Sequence, residues 1–297
     1  MKKEFLMAGV TVILWSTLPA VSKLIISQLD AFSTTFYVSL IAALTLFVIN
    51  LVRGGLKSYT KYSLKDYARI TGLGFLGLGC YTMLYYAGIS YLTSQIAAII
   101  NYMWPIMIVL FSCFILKEKL TVRKTSAMCI SFAGMLMICL QGLFSLSAKG
   151  SAAGMLCCFA AAGCYGLYSA LNKKYDYDQW IVLNVAFAVT ALMSGVTCAA
   201  TSGFPHIDLT ILAGLLWVGI FVNAIAYVLW GIAMNSGETA SISVMAYLCP
   251  FISLIFGRLL LDEHITALSL LGLVFIVGGV LIQTDLKGVL MRKKAEN

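Results

Sequence analysis

The side chains best suited to handling a solute are aromatic and neutral-polar, and they stand inside apolar stretches of the chain. Trp15, Tyr81, Trp104 and Tyr247 fall near the middles of such stretches, whereas the Trp and Tyr of membrane helices gather at the two water interfaces. Tyr165, Tyr168 and Asn172 follow i, i+3, i+7, and Asn223, Tyr227 and Trp230 follow i, i+4, i+7, so each trio shares one helix face. An amide facing lipid is costly, and both faces are therefore expected to turn inward. The rings offer area and edges to an aromatic side chain, and the Asn101 and Asn223 amides offer donors and acceptors to an amino or carboxylate group. A neutral cage of rings also attracts organic cations, at about 0.5–2 kcal/mol per cation–π contact. The structural alternative is helix packing, with Asn as hydrogen-bonding glue.

Bond-making chemistry has little to work with. The 12 Asp and Glu residues and the two His fall in loops, tails or the ends of apolar stretches, while hydrolysis or transfer needs an activated nucleophile with a base, or metal ligands. The nine cysteines sit within apolar stretches without a CxxC or a Cys/His cluster, which suits small buried hydrophobes. No catalytic residue, metal or cofactor is expected. An intramembrane enzyme built on Ser16, Ser94 or Ser243 is a distant alternative. A channel would present a ring of charges or a carbonyl filter loop. With no carboxylate at mid-depth, transport is expected to be downhill, exchanging, or coupled without a buried acid.

The elements that position these groups follow from composition. Of 297 residues 61% are apolar and 11% charged, and the mean hydropathy is +0.95, far from the roughly 25% charged residues of soluble domains. Apolar windows fall at roughly 5–26, 32–52, 68–89, 94–116, 124–143, 151–172, 180–201, 210–233, 239–261 and 266–285. Each is too long for a membrane strand of about 9–11 residues. The expected fold is an all-α membrane protein of ten transmembrane helices, its first window a retained span rather than a cleaved leader. All but three of the 20 Lys and Arg residues (Lys23, Lys149 and Arg258) fall in alternate connecting segments or tails, which places both termini in the cytoplasm. The net charge of +8 is thus a topology signal and not a nucleic-acid surface. Expected partners are a small-molecule substrate and the lipid bilayer.

The chain repeats itself. A shift of 145 pairs Tyr102 with Tyr247, Pro105 with Pro250, Glu118 with Glu263 and Gly134 with Gly279, and a shift of 150 pairs Trp15 with Tyr165 and Lys23 with Lys173. Residues 1–146 and 147–286 then form two five-helix halves, with 287–297 a basic cytoplasmic tail. An odd number of helices per half forces opposite orientation, a plan in which one half rocks against the other around a central cavity. Pro19, Pro105 and Pro250 are candidate hinges. The latter two are expected to free the carbonyls of Asn101 and Ala246, and Gly72, Gly74, Gly77 and Gly79 are expected to admit close backbone approach.

Several strings resemble the EamA branch of the drug/metabolite transporter superfamily over nearly the whole chain. They are Leu14-Trp15-Ser16-Thr17, Asn101-Tyr102-Met103-Trp104-Pro105, Asn172-Lys173-Lys174-Tyr175, Ala226-Tyr227 with Trp230 and Gly231-Ile232, and Tyr247 with Pro250. Asn-Tyr-x-Trp-Pro is the most specific, and within the branch the pattern looks most like that of the bacterial aromatic amino-acid exporters. The resemblance implies ten helices in two inverted repeats. It also implies export of aromatic or other hydrophobic amino acids, or related drugs, across the bacterial inner membrane. A choline-like or polyamine-like cation is the rival substrate.

Overall fold

The computed structural model describes residues 3–26, 28–91, 100–140, 152–175, 177–201, 203, 205, 207–261 and 267–283, and among them all regular structure is helical. Helices α1 (Lys3–Ile26) and α2 (Ala31–Gly54) are followed by a 3-10 turn, Leu56–Lys61. Next come α3 (Leu64–Gly74) and α4 (Tyr81–Tyr91), joined in line by a π segment, Phe75–Cys80, and then α5 (Trp104–Ile115) and α6 (Val122–Leu140). The second half contributes α7 (Ala152–Tyr175), α8 (Gln179–Thr201), and α9 (Leu209–Leu216) joined to α10 (Ala226–Ser236) by a π segment, Trp217–Ile225. It ends with α11 (Thr239–Met245), α12 (Leu248–Leu261) and α13 (Ala267–Gln283). Among the described residues, four stretches are long and apolar enough to cross a bilayer by themselves: Phe32–Gly54, Ala152–Tyr175, Gln179–Thr201 and Leu209–Ser236. The expected tail, 287–297, lies outside the described residues.

Local chemistry sets several helix ends. Asp30 accepts hydrogen bonds from the Phe32 and Ser33 amides at the start of α2, and Asp208 caps α9 through the Ile211 amide. Ser63 and Asp66 form a reciprocal capping box on α3. The Asp66 carboxyl is held below its ordinary value by the Ser63 hydroxyl first, then by the Tyr177 hydroxyl and the Ser63 amide. Its bond from the Tyr177 hydroxyl, 2.8 Å, ties the start of α3 to the α7–α8 link.

The repeat is visible in the packing of α6 against α13. Ser131 donates to the carbonyl of Ile276, its own counterpart at the 145 shift, at 3.1 Å. A Cβ on Gly134 would lie 2.5 Å from the Gly272 carbonyl oxygen, and one on Gly279, its counterpart, 2.5 Å from that of Ala127. Equivalent residues thus make reciprocal contacts, as across a two-fold axis. Residue numbers rise along α6 as they fall along α13, so these equivalent helices run antiparallel, the relation that an inverted duplication requires.

Both π segments also fall at corresponding places, since the 145 shift carries 75–80 onto 220–225. A π turn inserts extra backbone and rotates every later side chain about the helix axis; such bulges are frequent at functional sites. Here one ends directly before Tyr81 and the other two residues before Tyr227.

Candidate functional site

Five helices bring rings to one place. Trp15 from α1, Tyr81 from α4, Trp104 from α5, Tyr165 and Tyr168 from α7, and Tyr227 and Trp230 from α10 belong to one buried cluster. Trp15 has its ring centroid 5.1 Å from those of Trp230 and Tyr227 and 6.0 Å from that of Trp104. Trp104 meets Trp230 at 5.6 Å and Tyr165 at 5.3 Å, both close to edge-to-face. Tyr81 reaches Tyr165 at 5.5 Å. Such pairs contribute about 0.5–1.5 kcal/mol each beyond their buried area. Trp104 and Trp230 are only 8% and 3% exposed, so neither is a lipid-facing ring.

The faces expected from helical spacing hold on α7, where Tyr165, Tyr168 and Asn172 are all buried and line one void together with Tyr227 and Trp230. Room for Tyr168 comes from Gly77 on the neighbouring π segment, whose absent Cβ would otherwise collide with the phenol ring. Gly74 likewise backs onto Ala186 of α8, whereas Gly72 has nothing close to it. The void itself is small, about 10 Å³, room for about one water. The central cavity expected from the sequence is therefore filled here by the rings themselves.

Polar groups lie within the same cluster. Asn101 donates to the Tyr81 hydroxyl at 3.0 Å while its own carbonyl oxygen is buried without a partner. The indole N–H groups of Trp15 and Trp230 are buried and unpartnered too, as is the Asn172 carbonyl oxygen, although the Asn172 amide nitrogen donates to Gln179 at 2.6 Å. Buried polar groups in native proteins usually find partners; two of these orphans, on Trp230 and Asn172, belong to residues lining the void, and the other two, on Trp15 and Asn101, to residues that touch rings of the same cluster, so together they mark a place where a polar guest gains hydrogen bonds. Ser169, Gly231, Met234 and Asn235 complete the lining. Sequence reasoning did not single them out as site residues, yet Ser169 and Met234 stand four positions after Tyr165 and Trp230, the spacing that could have found them.

Two sequence candidates lie apart. Tyr247 is fully buried in a second cluster with Met128, Met135 and Ile276, its ring 5.9 Å from Phe132. Asn223 is half-buried within the π segment and is not among the residues lining the void.

The prolines behave in pairs. Turns at 102–103 and 246–247 interrupt the helical backbone just before Pro105 and Pro250, both of them buried. The Ala246 carbonyl is not free, however: it accepts from the Cys249 amide at 3.0 Å, a bond of 3-10 type that forms when the turn tightens. The expectation of an open acceptor at Ala246 is corrected accordingly. Helix α1 runs through Pro19 without interruption.

Among the described residues no three His, Cys, Asp or Glu side chains gather into a metal site.

Comparisons with known proteins agree with this architecture. An uncharacterized transporter of Archaeoglobus fulgidus is 24% identical over 287 residues, covering 95% of this chain and 97% of the relative. The uncharacterized transporter YoaV of Bacillus subtilis is 27% identical, with 82% and 84% covered, and protein PecM of Dickeya dadantii is 23% identical, with 77% of each covered. A crystal structure at 21% identity superposes with a TM-score of 0.85 over 95% of this chain and 98% of that one, which shows a shared fold. The model of the EamA-like transporter family matches twice, over residues 2–140 and 152–284. With two such matches, apolar spanning helices and an antiparallel internal duplication, the chain belongs to the EamA-like transporter family and is an integral membrane transporter.

Proposed function

We propose that this transporter exports aromatic or other hydrophobic amino acids across the bacterial plasma membrane by alternating access. In this reading ten helices span the membrane as two inverted halves, 1–146 and 147–286, with both termini and the basic tail 287–297 in the cytoplasm. The observation that carries the substrate class is the pair of buried, unpartnered indole donors at Trp15 and Trp230 in one ring cluster, together with the unpartnered oxygen of Asn101, whose amide nitrogen is bonded to Tyr81 of that cluster. A carboxylate accepts from indole N–H groups, an ammonium donates to an amide oxygen, and an apolar side chain lies against rings. A quaternary ammonium or protonated polyamine nitrogen has no lone pair to accept with, so an organic cation does not offer the two indoles the paired acceptor oxygens of a carboxylate.

The packed rings correspond to a closed arrangement, in which Trp15, Trp104 and Trp230 occupy the volume that a solute takes when the halves part. Counterflow in proteoliposomes tests the reading: phenylalanine, tryptophan and leucine are expected to exchange, and choline and spermidine are not. Exchange of the cations alone would reverse the assignment.

A further inference from the structure

A charged cluster joins the two repeats at the end of the bundle where α5, α7 and α10 terminate. The Lys173 ammonium, in the last turn of α7, donates to Glu118 Oε1 at 2.9 Å, to the Thr239 hydroxyl at 2.9 Å and to the Gly237 carbonyl at 3.0 Å, using all three of its hydrogens. The Thr239 hydroxyl in turn donates to Glu118 at 2.7 Å, and Thr239 is fully buried. Lys173 and Glu118 side chains are only 18% and 29% exposed, so salt screens the pair less than an open surface bridge. Lys117, the residue before Glu118, has a φ of 57°, in the left-handed region disfavoured for a residue with a Cβ. A second ion pair, Lys124 with Glu238, makes the same crossing beside it.

Placement gives the cluster its meaning. Glu118 and Lys124 lie in the first matched repeat, and Lys173, Gly237, Glu238 and Thr239 in the second. Lys173 directly follows Asn172, which lines the void under Trp230. The elements it ties together carry the rings: α5 bears Trp104, α7 bears Tyr165 and Tyr168, and α10 bears Trp230. A path from the ring cluster to this end cannot open between α5 and α7 while the Lys173 ammonium holds Glu118.

We propose that Lys173, Glu118 and Thr239 form a latch between the repeats that keeps the ring cluster closed toward the cytoplasm. The proposal rests on the alternating-access reading above, which supplies both the need for a gate and the side on which it lies. Releasing the latch shifts the population toward the inward-open arrangement.

The test uses a thiol placed just inside the latch by Ser169→Cys, at a residue 7% exposed that lines the void. The full-length protein in lipid nanodiscs is treated with a water-soluble maleimide, and peptide mass spectrometry locates the adducts among the native cysteines. Lys173→Met, Glu118→Gln or Thr239→Val is expected to speed labelling at that position about ten-fold or more, the scale of one lost charge-assisted hydrogen bond. Labelling of Cys198, buried on α8, is expected to stay unchanged. The Lys173→Met/Glu118→Gln pair is expected to be no faster than the faster single variant, because both break one link.

Unchanged labelling in all three variants overturns the latch, as does a fall in melting temperature with unchanged labelling, the signature of a simple brace. Equal acceleration at Cys198 overturns it as well, since that is general loosening. Flux measured in parallel on the parent protein, with Ser169, Lys173, Glu118 and Thr239 intact, separates the two readings. Faster labelling at the introduced thiol with no solute moving sinks the transport reading and leaves the latch, while normal exchange with unchanged labelling sinks the latch alone.

Discussion

Trp15 on α1 and Trp230 on α10 meet with ring centroids 5.1 Å apart and planes tilted by 44°, and both indole nitrogens are buried without a partner. The contact spans the two repeats, so any movement of one half against the other changes it. Two indoles that touch through their rings while withholding their N–H groups suit a site that exchanges ring–ring contact for ring–solute contact.

Replacing Trp15 by Phe keeps a ring in the cluster and removes one donor. The apparent affinity for amino acids is expected to fall about ten-fold, equivalent to about 1.4 kcal/mol, with little change for the corresponding amines, which lack the carboxylate. Competition assays with phenylalanine and phenethylamine check this; equal losses for both would deny the indole a carboxylate role.

Trp104→Ala and Trp230→Ala remove whole rings from the cluster. Each is expected to lower exchange at least ten-fold while folded protein still reaches the membrane. The melting temperature is expected to drop as well, because Trp→Ala in a packed interior costs about 3–5 kcal/mol. Flux per folded molecule, from size-exclusion profiles and counterflow together, is the measurement. Unchanged flux in both variants would remove these rings from the pathway.

Pro105→Ala restores a backbone donor beside the turn at 102–103 and lets helical bonding extend across it. Turnover is expected to slow several-fold with substrate binding nearly unchanged. Calorimetry for binding and stopped-flow flux for cycling separate the two quantities, and a matching loss of binding at normal turnover would contradict a hinge.

Asp66 supplies a pH test away from the membrane interior. Its carboxyl is lowered from the ordinary value of 3.8, so its contribution is fully present above that value and disappears as pH falls through the lower folded-state value. Asp66→Asn is expected to reduce the melting temperature at neutral pH, and the gap from the parent protein is expected to close under strong acid. A gap that stays constant across the range would show that the Asp66 charge is not what stabilises the α3 start.

Much of the site could be read directly where helices are regular. Tyr165, Tyr168 and Asn172 stand on an uninterrupted stretch of α7, and the 3.6-residue period placed them on one inward face as found. The same arithmetic does not carry over to Asn223, because it lies inside a π segment where the 3.6-residue period no longer applies, and it is not among the residues lining the void. Tyr247 failed for a related reason: it occupies the turn at 246–247, where the chain swings its ring toward Phe132 on α6. Lys173 and Glu118 were visible as members of a repeat. Their meeting was not, since they are brought together only when α5 and α7 pack.

Composition, the alternation of basic segments and the 145-residue shift determined by themselves that this chain is a helical membrane protein built by duplication, because solvent preference and repetition are properties of the string. Only the tertiary structure decided which rings touch, that they close the central space instead of leaving it open, and which charges join the halves. Those outcomes depend on helix rotation and axial offset, quantities that two π turns and two proline-linked turns alter by fractions of a helical turn.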